Sequence, residues 1–241
     1  MRWQQAEAVL FDLDGVLTPT AALHRRAWAQ VLGAWFTAHG VRPGYTEDDY
    51  FEHVDGRPRL DGIRAVLASR GVTLPDGEPG DPPDAAGAAT VTSLGNAKNA
   101  AFGALLAEGV APYPGATDVL DDLARRGVPT AVVSASRNTT AVLAAAGLTE
   151  RFGVVVDGVR AAAEGLPGKP SPRTFLRAAE LLGVPPDRAA VVEDAVSGAA
   201  AGRAGGFGLV VGVDRGAGED ALREAGADVV VHGLTELVAA P

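Results

Sequence analysis

The placement of strand-like segments most constrains what this chain can fold into. One short apolar run, Ala8–Phe11, stops at Asp12 and is typical of a buried strand that ends in a polar loop. The next strand-like runs come only after Pro112–Gly115, and from there they alternate with helical segments. Alternating strands and helices predict a parallel, doubly wound α/β sheet, which the early strand is expected to join.

The residues between the first strand and this alternation, 20–110, are predicted to be all-helical. Residues 21–39 place apolar side chains at helical spacing, and Asp61–Arg70 and Val91–Glu108 have helical patterns as well. The stretch Leu74–Ala86 is rich in Pro, Gly and Asp and predicts a loop.

The predicted architecture is a Rossmann-like α/β core, residues 1–18 and 113–241, with a helical cap domain, residues 19–112, inserted after the first strand. The later core strands are predicted at Val128–Val133, Val154–Val156, Ala189–Val192, Leu209–Val213 and Asp228–Val231. The helices between them are predicted at Thr139–Ala146, Arg173–Leu182, Val196–Ala204 and Asp220–Ala225.

Charge and hydropathy exclude several classes of protein. The 241 residues carry a formal net charge of −9, which disfavours nucleic-acid binding because that binding depends on clustered Lys and Arg. No apolar run is long enough for a membrane span, and the N-terminal apolar run is too short for a signal peptide. The chain has no cysteine, so no disulfide is possible. A cytoplasmic location is expected.

The segment Asp12-Leu13-Asp14-Gly15 is the first candidate for chemistry. Its two carboxylates follow the first strand, at the sheet edge where open α/β proteins bind ligands. Gly15 allows the chain to turn sharply after them. Two solvated loop aspartates are the alternative, which the preceding apolar strand and the following Gly-Val-Leu-Thr make less attractive.

Ser134, Ser136 and Asn138 follow the next predicted strand and precede a helix. A hydroxyl there can donate to a phosphoryl oxygen, and the helix N-terminus adds backbone N–H groups. Helix capping by Ser136 or Asn138 is an equally good interpretation and is compatible with anion binding.

Lysine is rare in this chain, which has 19 arginines and only Lys98 and Lys169. An ammonium is not interchangeable with a guanidinium, so both positions are candidates for function. Lys169 is followed by Pro170-Ser171-Pro172 and precedes a helix, from which its ammonium can reach the sheet edge. The alternative is a surface loop lysine.

Glu193 and Asp194 end another apolar strand and would meet Asp12 and Asp14 if the two strands are neighbours. Several carboxylates in one dry crevice stay ionised only if a cation joins them, and oxygen ligands favour Mg²⁺. With a metal, the residues predict phosphoryl transfer, in which Asp12 or Asp14 is the nucleophile and Lys169 neutralises phosphoryl oxygens.

Taken in order, these four motifs resemble the haloacid dehalogenase superfamily of phosphotransferases, and within it the β-phosphoglucomutases. The resemblance spans almost the whole chain and also rests on Thr20, His24 and Trp28 after the first motif. It implies Asp12 as the phosphorylated nucleophile and Asp14 as general acid and base. It also implies Mg²⁺ held by Asp12, the Asp14 carbonyl and Asp194, with Glu193 beside it, and a transferring phosphate held by Ser134 and Lys169.

The resemblance extends to the cap. Residues 54–59 look like the family's specificity loop, with Arg59 as its phosphate-binding arginine, and Lys98 matches a cap lysine that faces the active site. His24 lies one turn beyond Thr20 at the start of the first cap helix, where a hinge between core and cap is expected. Two departures are Pro19, where relatives commonly have Asp, and Asp55, where characterised mutases carry Lys.

The leading functional interpretation is reversible isomerisation of β-glucose 1-phosphate and glucose 6-phosphate through a bound bisphosphate. A sugar-phosphate phosphatase of the same fold is the alternative. A second phosphate site, formed only if Arg59, Ser136 and Asn138 converge opposite Asp12, would favour the mutase. A non-catalytic module of this fold is a third possibility, which the intact Asp12, Asp14, Lys169 and Asp194 oppose. The expected partner is a small-molecule sugar phosphate, with no nucleic acid or membrane, and the chain is expected to be a monomer.

Overall fold

A computed structural model of the protein describes residues 1–55 and 57–238. The chain forms two compact units, one of Met1–Thr20 with the residues from Val110 onward and one of Ala21–Gly109. The first unit is an α/β sheet structure, and the described residues of the second form helices joined by irregular segments, with no strand. The predicted fold class is therefore confirmed.

The described residues of the first unit contain six strands, all parallel. They are β1 (Ala8–Phe11), β2 (Thr130–Val133), β3 (Val154–Val156), β4 (Ala189–Glu193), β5 (Leu209–Val213) and β6 (Val229–Val231). Their order in the sheet is β3-β2-β1-β4-β5-β6, so the earliest strand lies in the middle. Leu10 pairs with Ala131 of β2 on one side and with Val191 of β4 on the other.

The helices agree with the prediction to within a few residues where one was made. They are α1 (Thr20–Ala38), α2 (Glu47–Asp49), α3 (Arg59–Ala68), α4 (Val91–Leu106), α5 (Ala116–Arg125), α6 (Thr139–Ala145), α7 (Gly158–Ala163), α8 (Arg173–Leu182), α9 (Val196–Ala204), α10 (Glu219–Ala225) and α11 (Thr235–Val238). Shorter turns are the π-helical Tyr50–Val54 and the 3₁₀ turns Trp3–Gln5, Thr149–Arg151 and Pro186–Arg188. None of the described helices is both long and apolar enough to cross a membrane.

The central strands explain why their sequences are continuous apolar runs. Strands β1, β2, β4 and β5 are buried at every residue, which is typical of a parallel sheet covered on both faces. Helix α8 packs on the β1, β2 and β3 side of the sheet through Phe175 and its neighbours. Side chains within a strand that is buried on both faces cannot reach a ligand. Functional side chains are therefore expected directly after the ends of the strands.

Three of the described helices of the first unit were not predicted: α5, α7 and the four-residue α11. Helix α5 directly follows the Pro112–Gly115 segment and buries an amphipathic stripe of Val119, Leu120 and Leu123. Helix α7 is six residues long, and Asp157 caps it by accepting from two backbone amides. Its sequence, Gly-Val-Arg-Ala-Ala-Ala, carries little apolar periodicity, so the capping Asp157 was the available signal.

The second unit has its own core. Trp28 and Trp35, seven residues apart on α1, are buried in it. The stretch Leu74–Ala86 is irregular as predicted. It is nevertheless linked to a helix of the same unit, because the Arg64 guanidinium on α3 donates to Asp76 Oδ1 at 2.8 and 3.0 Å.

Candidate active site

Asp12 begins a tight turn directly after β1. Its amide donates to the Val192 carbonyl at 2.9 Å, which continues the pairing of β1 with β4 by one residue. The Leu13 carbonyl then accepts from the amides of Leu17 and Thr18, both at 3.0 Å. The turn is therefore closed by its own backbone and presents Asp12 and the next carboxylate at the carboxyl edge of the sheet.

Asp14 is held by two hydroxyl groups. Thr20 Oγ1 donates to Asp14 Oδ1 at 2.5 Å, and Ser134 Oγ donates to Asp14 Oδ2 at 3.2 Å. The hydroxyls of Thr18 and Thr20 are 2.7 Å apart and both side chains are fully buried. Thr18 was not predicted as a site residue; its spacing of two from Thr20 was the available signal.

Gly15 permits a close approach between this turn and Asp194. Its φ is +98°, and a Cβ placed on it would lie 1.9 Å from Asp194 Oδ2. A side chain at this position would therefore need both a strained backbone and a displaced Asp194. The structure thus places Asp194 against the Asp12–Thr18 turn. This agrees with the expectation that the strand before Asp12 and the strand before Asp194 are neighbours, as β1 and β4 are.

Lys169 is the buried cation of this edge. Its ammonium donates to Asp12 Oδ1 at 2.5 Å and to the Val133 carbonyl at 3.1 Å, and it pairs with Glu193 Oε1. Burial lowers the pKa of the Lys169 ammonium, but Asp12 and Glu193 outweigh burial and raise that pKa above its usual range. The lysine therefore stays charged and is not the surface residue of the alternative interpretation.

Glu193 is the most deeply buried of the carboxylates and has several partners. Its Oε2 accepts from the amides of Asp194 and Ala195, both at 3.1 Å, while Oε1 faces Lys169. A Cβ on Gly198 would lie 1.9 Å from the Glu193 carboxyl, so the glycine makes room for it. Glu193 thereby orients Lys169 and fixes the start of the β4–α9 connection.

The carboxylates fit a metal ion. Asp12, Glu193 and Asp194 each offer an oxygen, and these oxygens lie within 4.8 Å of one another. Burial raises the pKa of the Asp12 carboxyl well above its usual range; Lys169 opposes this effect, and Glu193 and Asp14 add to it. A divalent cation would reverse this cost, and an all-oxygen donor set suits Mg²⁺.

The residues after β2 form a turn whose hydroxyls face backbone amides. Ser134 Oγ accepts from the Ser136 amide and Ser136 Oγ accepts from the Asn138 amide, both at 3.1 Å. Asn138 stands at the N-cap of α6, but its side chain makes no capping bond. The capping interpretation is therefore wrong for Asn138, and the Ser136 hydroxyl closes the turn before the helix.

The cap residues expected in the site lie in the second unit. Lys98 is buried, donates to His24 Nδ1, and lies 5.2 Å from the Trp28 ring centroid and 4.9 Å from that of Phe102. The His24 ring stacks on Phe102 with centroids 4.0 Å apart. Both rare lysines are therefore buried and hydrogen-bonded.

Arg59 is the first residue of α3 rather than a loop residue. Gly95 on α4 leaves space for it, because a Cβ there would lie 3.1 Å from Arg59 Nε and 2.7 Å from Leu60 Cδ2. Of the predicted specificity loop, Gly56 lies outside the described residues.

The predicted site residues therefore fall into two sets. The set in the first unit is joined by the contacts given above and contains Asp12, Asp14, Thr20, Ser134, Ser136, Asn138, Lys169, Glu193 and Asp194. The set in the second unit contains His24, Arg59 and Lys98.

Several known proteins are similar to this chain in sequence or in fold. A Mycobacterium tuberculosis protein named β-phosphoglucomutase is 47% identical over 245 residues, covering 98% of this chain and 92% of that protein. A crystal structure of β-phosphoglucomutase from Clostridium difficile has a TM-score of 0.78 at 26% identity, covering 96% of this chain and 93% of that one. Hexitol phosphatase A from Escherichia coli is 29% identical over 237 residues, covering 97% and 94%.

The haloacid dehalogenase-like hydrolase family matches residues 6–206, from just before β1 to just after α9. That range holds Asp12, Ser134, Lys169 and Asp194, each at the sheet edge where the fold places chemistry. With these residues in place and the match covering most of the chain, the protein belongs to the haloacid dehalogenase-like hydrolase family and is an enzyme of it.

Proposed function

We propose that this enzyme is a β-phosphoglucomutase that interconverts β-glucose 1-phosphate and glucose 6-phosphate. The observation that carries the proposal is the pair of unlike carboxylates after β1: Asp12 bonds to Lys169, whereas Asp14 bonds to two hydroxyls. Carboxylates in different environments suit different roles. The choice of sugar phosphate is supported by the 47% identity to the mycobacterial β-phosphoglucomutase.

Asp12 acts as the nucleophile. Its free carboxylate oxygen attacks phosphorus and forms an aspartyl phosphate as the bond from phosphorus to the sugar oxygen breaks. Lys169, 2.5 Å from Asp12 Oδ1, stabilises the charge on the phosphoryl oxygens and restrains the carboxylate. The Ser134 hydroxyl, which donates to Asp14 Oδ2 at 3.2 Å, turns its one O–H to a phosphoryl oxygen when the phosphate binds, and Thr20 then continues to hold Asp14.

Asp14 acts as general acid and base. It takes the proton from the sugar hydroxyl whose oxygen attacks the phosphoryl group on Asp12, and it returns a proton to the oxygen that leaves in the reverse step. The two hydroxyls of Thr20 and Ser134 hold its carboxylate in one orientation. The bisphosphate then reorients, and its other phosphoryl group is transferred to Asp12.

Mg²⁺ is the proposed cofactor, held by Asp12, the carbonyl of Asp14 and Asp194, with Glu193 beside it. When bound, it neutralises phosphoryl charge and the excess of carboxylates at this edge. Glu193 holds Lys169 in place, and Gly15 keeps Asp194 close to the turn.

The remaining predicted residues are proposed to bind the substrate. Arg59 is proposed to hold the distal phosphate, because a guanidinium binds phosphate in a bidentate manner and the chain's net charge of −9 disfavours an anion at long range. Ser136 and Asn138 are proposed to complete that site. Thr20, His24 and Lys98 are proposed to contact the sugar phosphate.

A phosphatase acting on sugar phosphates is the second candidate. It uses the same Asp12 and Asp14, with water in place of the sugar hydroxyl. The 29% identity to Hexitol phosphatase A favours it, as does the hydrolase family to which the chain belongs. The two candidates differ in whether a distal phosphate must be held during two transfers.

Arg59→Ala tests the choice between them. We expect isomerisation of β-glucose 1-phosphate, primed with the bisphosphate, to fall by at least about 100-fold, since a charged hydrogen bond to phosphate is lost. Slow hydrolysis of a small phosphate donor through Asp12 should persist. Arg64→Ala is the matched control, because Arg64 lies on the same helix and pairs with Asp61 and Asp76.

Equal loss of both activities in Arg59→Ala, or loss of neither, would contradict the role of Arg59 and favour the phosphatase. A wild-type protein that hydrolyses sugar phosphates but produces no glucose 6-phosphate from β-glucose 1-phosphate would disprove the mutase directly.

A further inference from the structure

Arg215 makes a three-point contact at the same edge of the sheet as Asp12. It lies in the connection between β5 and α10. Its Nε donates to the Gly15 carbonyl at 2.9 Å and its Nη1 to the His232 carbonyl at 3.1 Å. The guanidinium carbon lies 3.9 Å from the centroid of the Tyr113 ring, in cation–π contact. All four residues belong to the first unit.

The Gly15 carbonyl is a critical place for such a contact. Gly15 directly follows Asp14, and its amide donates to the Thr18 carbonyl at 2.8 Å. The turn is therefore held from within at the amide of Gly15 and from outside at its carbonyl. The bond at the amide joins two residues of the same turn. The bond at the carbonyl comes from Arg215, which follows β5, and therefore fixes the turn relative to the rest of the sheet.

Tyr113 extends the contact to the segments that connect the two units. Tyr113 lies on the segment that returns from the second unit, and its amide donates to the Leu17 carbonyl at 2.8 Å. Leu17 lies on the segment that leads to the second unit. The Tyr113 ring packs on Arg215, and its backbone packs on the turn that Arg215 restrains.

We propose that Arg215 is a positioning residue that holds the Asp14–Gly15 turn so that the Asp14 carboxylate keeps its orientation for proton transfer. This rests on the proposed function, because it assumes a catalytic role for Asp14. A guanidinium can donate in its plane to two carbonyls while an aromatic ring packs on its face, whereas a lysine ammonium cannot make all three contacts. Displacing a catalytic group by about 1 Å costs up to about 100-fold in rate.

The test compares Arg215→Ala, Arg215→Lys and Tyr113→Leu with Arg223→Ala as control. Arg223 lies on the adjacent helix α10, is partly exposed and pairs with Glu219. We would measure kcat and KM for β-glucose 1-phosphate and the melting temperature. Rescue of Arg215→Ala by millimolar guanidinium ion would also be measured, as would amide hydrogen exchange in residues 13–18.

We expect kcat to fall by about 10- to 100-fold in Arg215→Ala with KM changed by less than about threefold. Guanidinium should restore part of kcat, and exchange at residues 13–18 should accelerate. Arg215→Lys and Tyr113→Leu should be intermediate, because each keeps part of the contact. Arg223→Ala should behave as wild type.

An unchanged kcat in folded Arg215→Ala would overturn the proposal. So would a kcat that falls only with the folded fraction and is not restored by guanidinium, which would show a purely structural role. A rise in KM alone would overturn it as well, because it would place Arg215 against the substrate. The exchange measurement needs no turnover, so it tests the contact with the turn even if the wild-type protein disproves the mutase.

Discussion

Asp12 in the first unit and Asp49 in the second are both buried beside a cation, yet their carboxyl pKa values shift in opposite directions. Burial is the largest cause of the raised pKa of the Asp12 carboxyl; Lys169 opposes the rise, and Glu193 and Asp14 add to it. Burial acts the same way on Asp49, but hydrogen bonds from Arg70 and from the Thr46 amide outweigh it and hold that pKa below its usual value.

Besides burial, the two sites differ in the balance of charge. Arg70 bonds to both oxygens of Asp49, and the side chains are 7% and 5% exposed, so one cation meets one anion. At the sheet edge of the first unit, Lys169 faces both Asp12 and Glu193, with Asp194 close by. A balanced pair stabilises a unit, whereas a buried excess of carboxylates requires a further cation and marks a site for chemistry.

The largest effect is expected from Asp12→Asn. An amide cannot accept the phosphoryl group, so turnover should fall by on the order of 10⁴- to 10⁶-fold. Intact-protein mass spectrometry with a phosphate donor should detect phosphorylation of wild type and none of the variant. Asp49→Asn, which alters the balanced pair, should keep the turnover of its folded fraction. Near wild-type turnover in Asp12→Asn would refute the nucleophile assignment.

Asp14→Ala should have the next largest effect. Loss of a general acid and base should lower kcat by about 10²- to 10⁴-fold, without removing a side chain proposed to ligate Mg²⁺. Steady-state kinetics and calorimetric titration with Mg²⁺ measure the two quantities. An unchanged kcat, or lost Mg²⁺ binding with normal proton transfer, would contradict the division of roles between Asp12 and Asp14.

Arg70→Ala should destabilise the second unit. It leaves the Asp49 carboxylate buried without its guanidinium, which costs about 3–5 kcal/mol in the free energy of unfolding. The double variant Asp49→Ala/Arg70→Ala should be more stable than Arg70→Ala, because no charge is left without its partner. Urea unfolding monitored by fluorescence measures both. A double variant less stable than Arg70→Ala would show that packing, rather than charge balance, dominates this pair.

Mg²⁺ should stabilise the protein through the first unit. At about 100 times its dissociation constant, a ligand that binds only the folded state contributes about 2.7 kcal/mol to stability. The melting temperature should therefore rise with Mg²⁺ in wild type and in Asp49→Asn, but not in Asp194→Asn. An equal rise in Asp194→Asn would place the binding site elsewhere.

The smallest effect is expected from acid. The pKa of Asp49 is lowered in the folded state, so its contribution to stability is present above the ordinary value of 3.8 and is lost as pH falls through the folded-state value. The free energy of unfolding, measured from pH 7 to pH 3, should decline more steeply for wild type than for Asp49→Asn below about pH 5. Parallel curves would show that Asp49 contributes no pH dependence.

The sequence by itself determined the fold class and the kinds of side chain that form the candidate active site. A strand buried on both faces must be an apolar run, and its first polar residue marks the sheet edge, so Asp12, Ser134 and Glu193 were recognisable without a structure. Helix periodicity likewise located α8 and α9 to the residue. Helix α7 was not predicted because its six residues, Gly158–Ala163, carry no such periodicity.

Only the tertiary structure decided which strand ends meet. The order β3-β2-β1-β4-β5-β6 sets β1 between β2 and β4, and this brings Lys169 and Glu193 to Asp12 and Ser134 to Asp14. The contact of Arg215 with Gly15 spans 200 positions in the chain and has no local signature. Local patterns encode the period and burial of one element, but pairing of distant elements depends on packing and on the balance of buried charge.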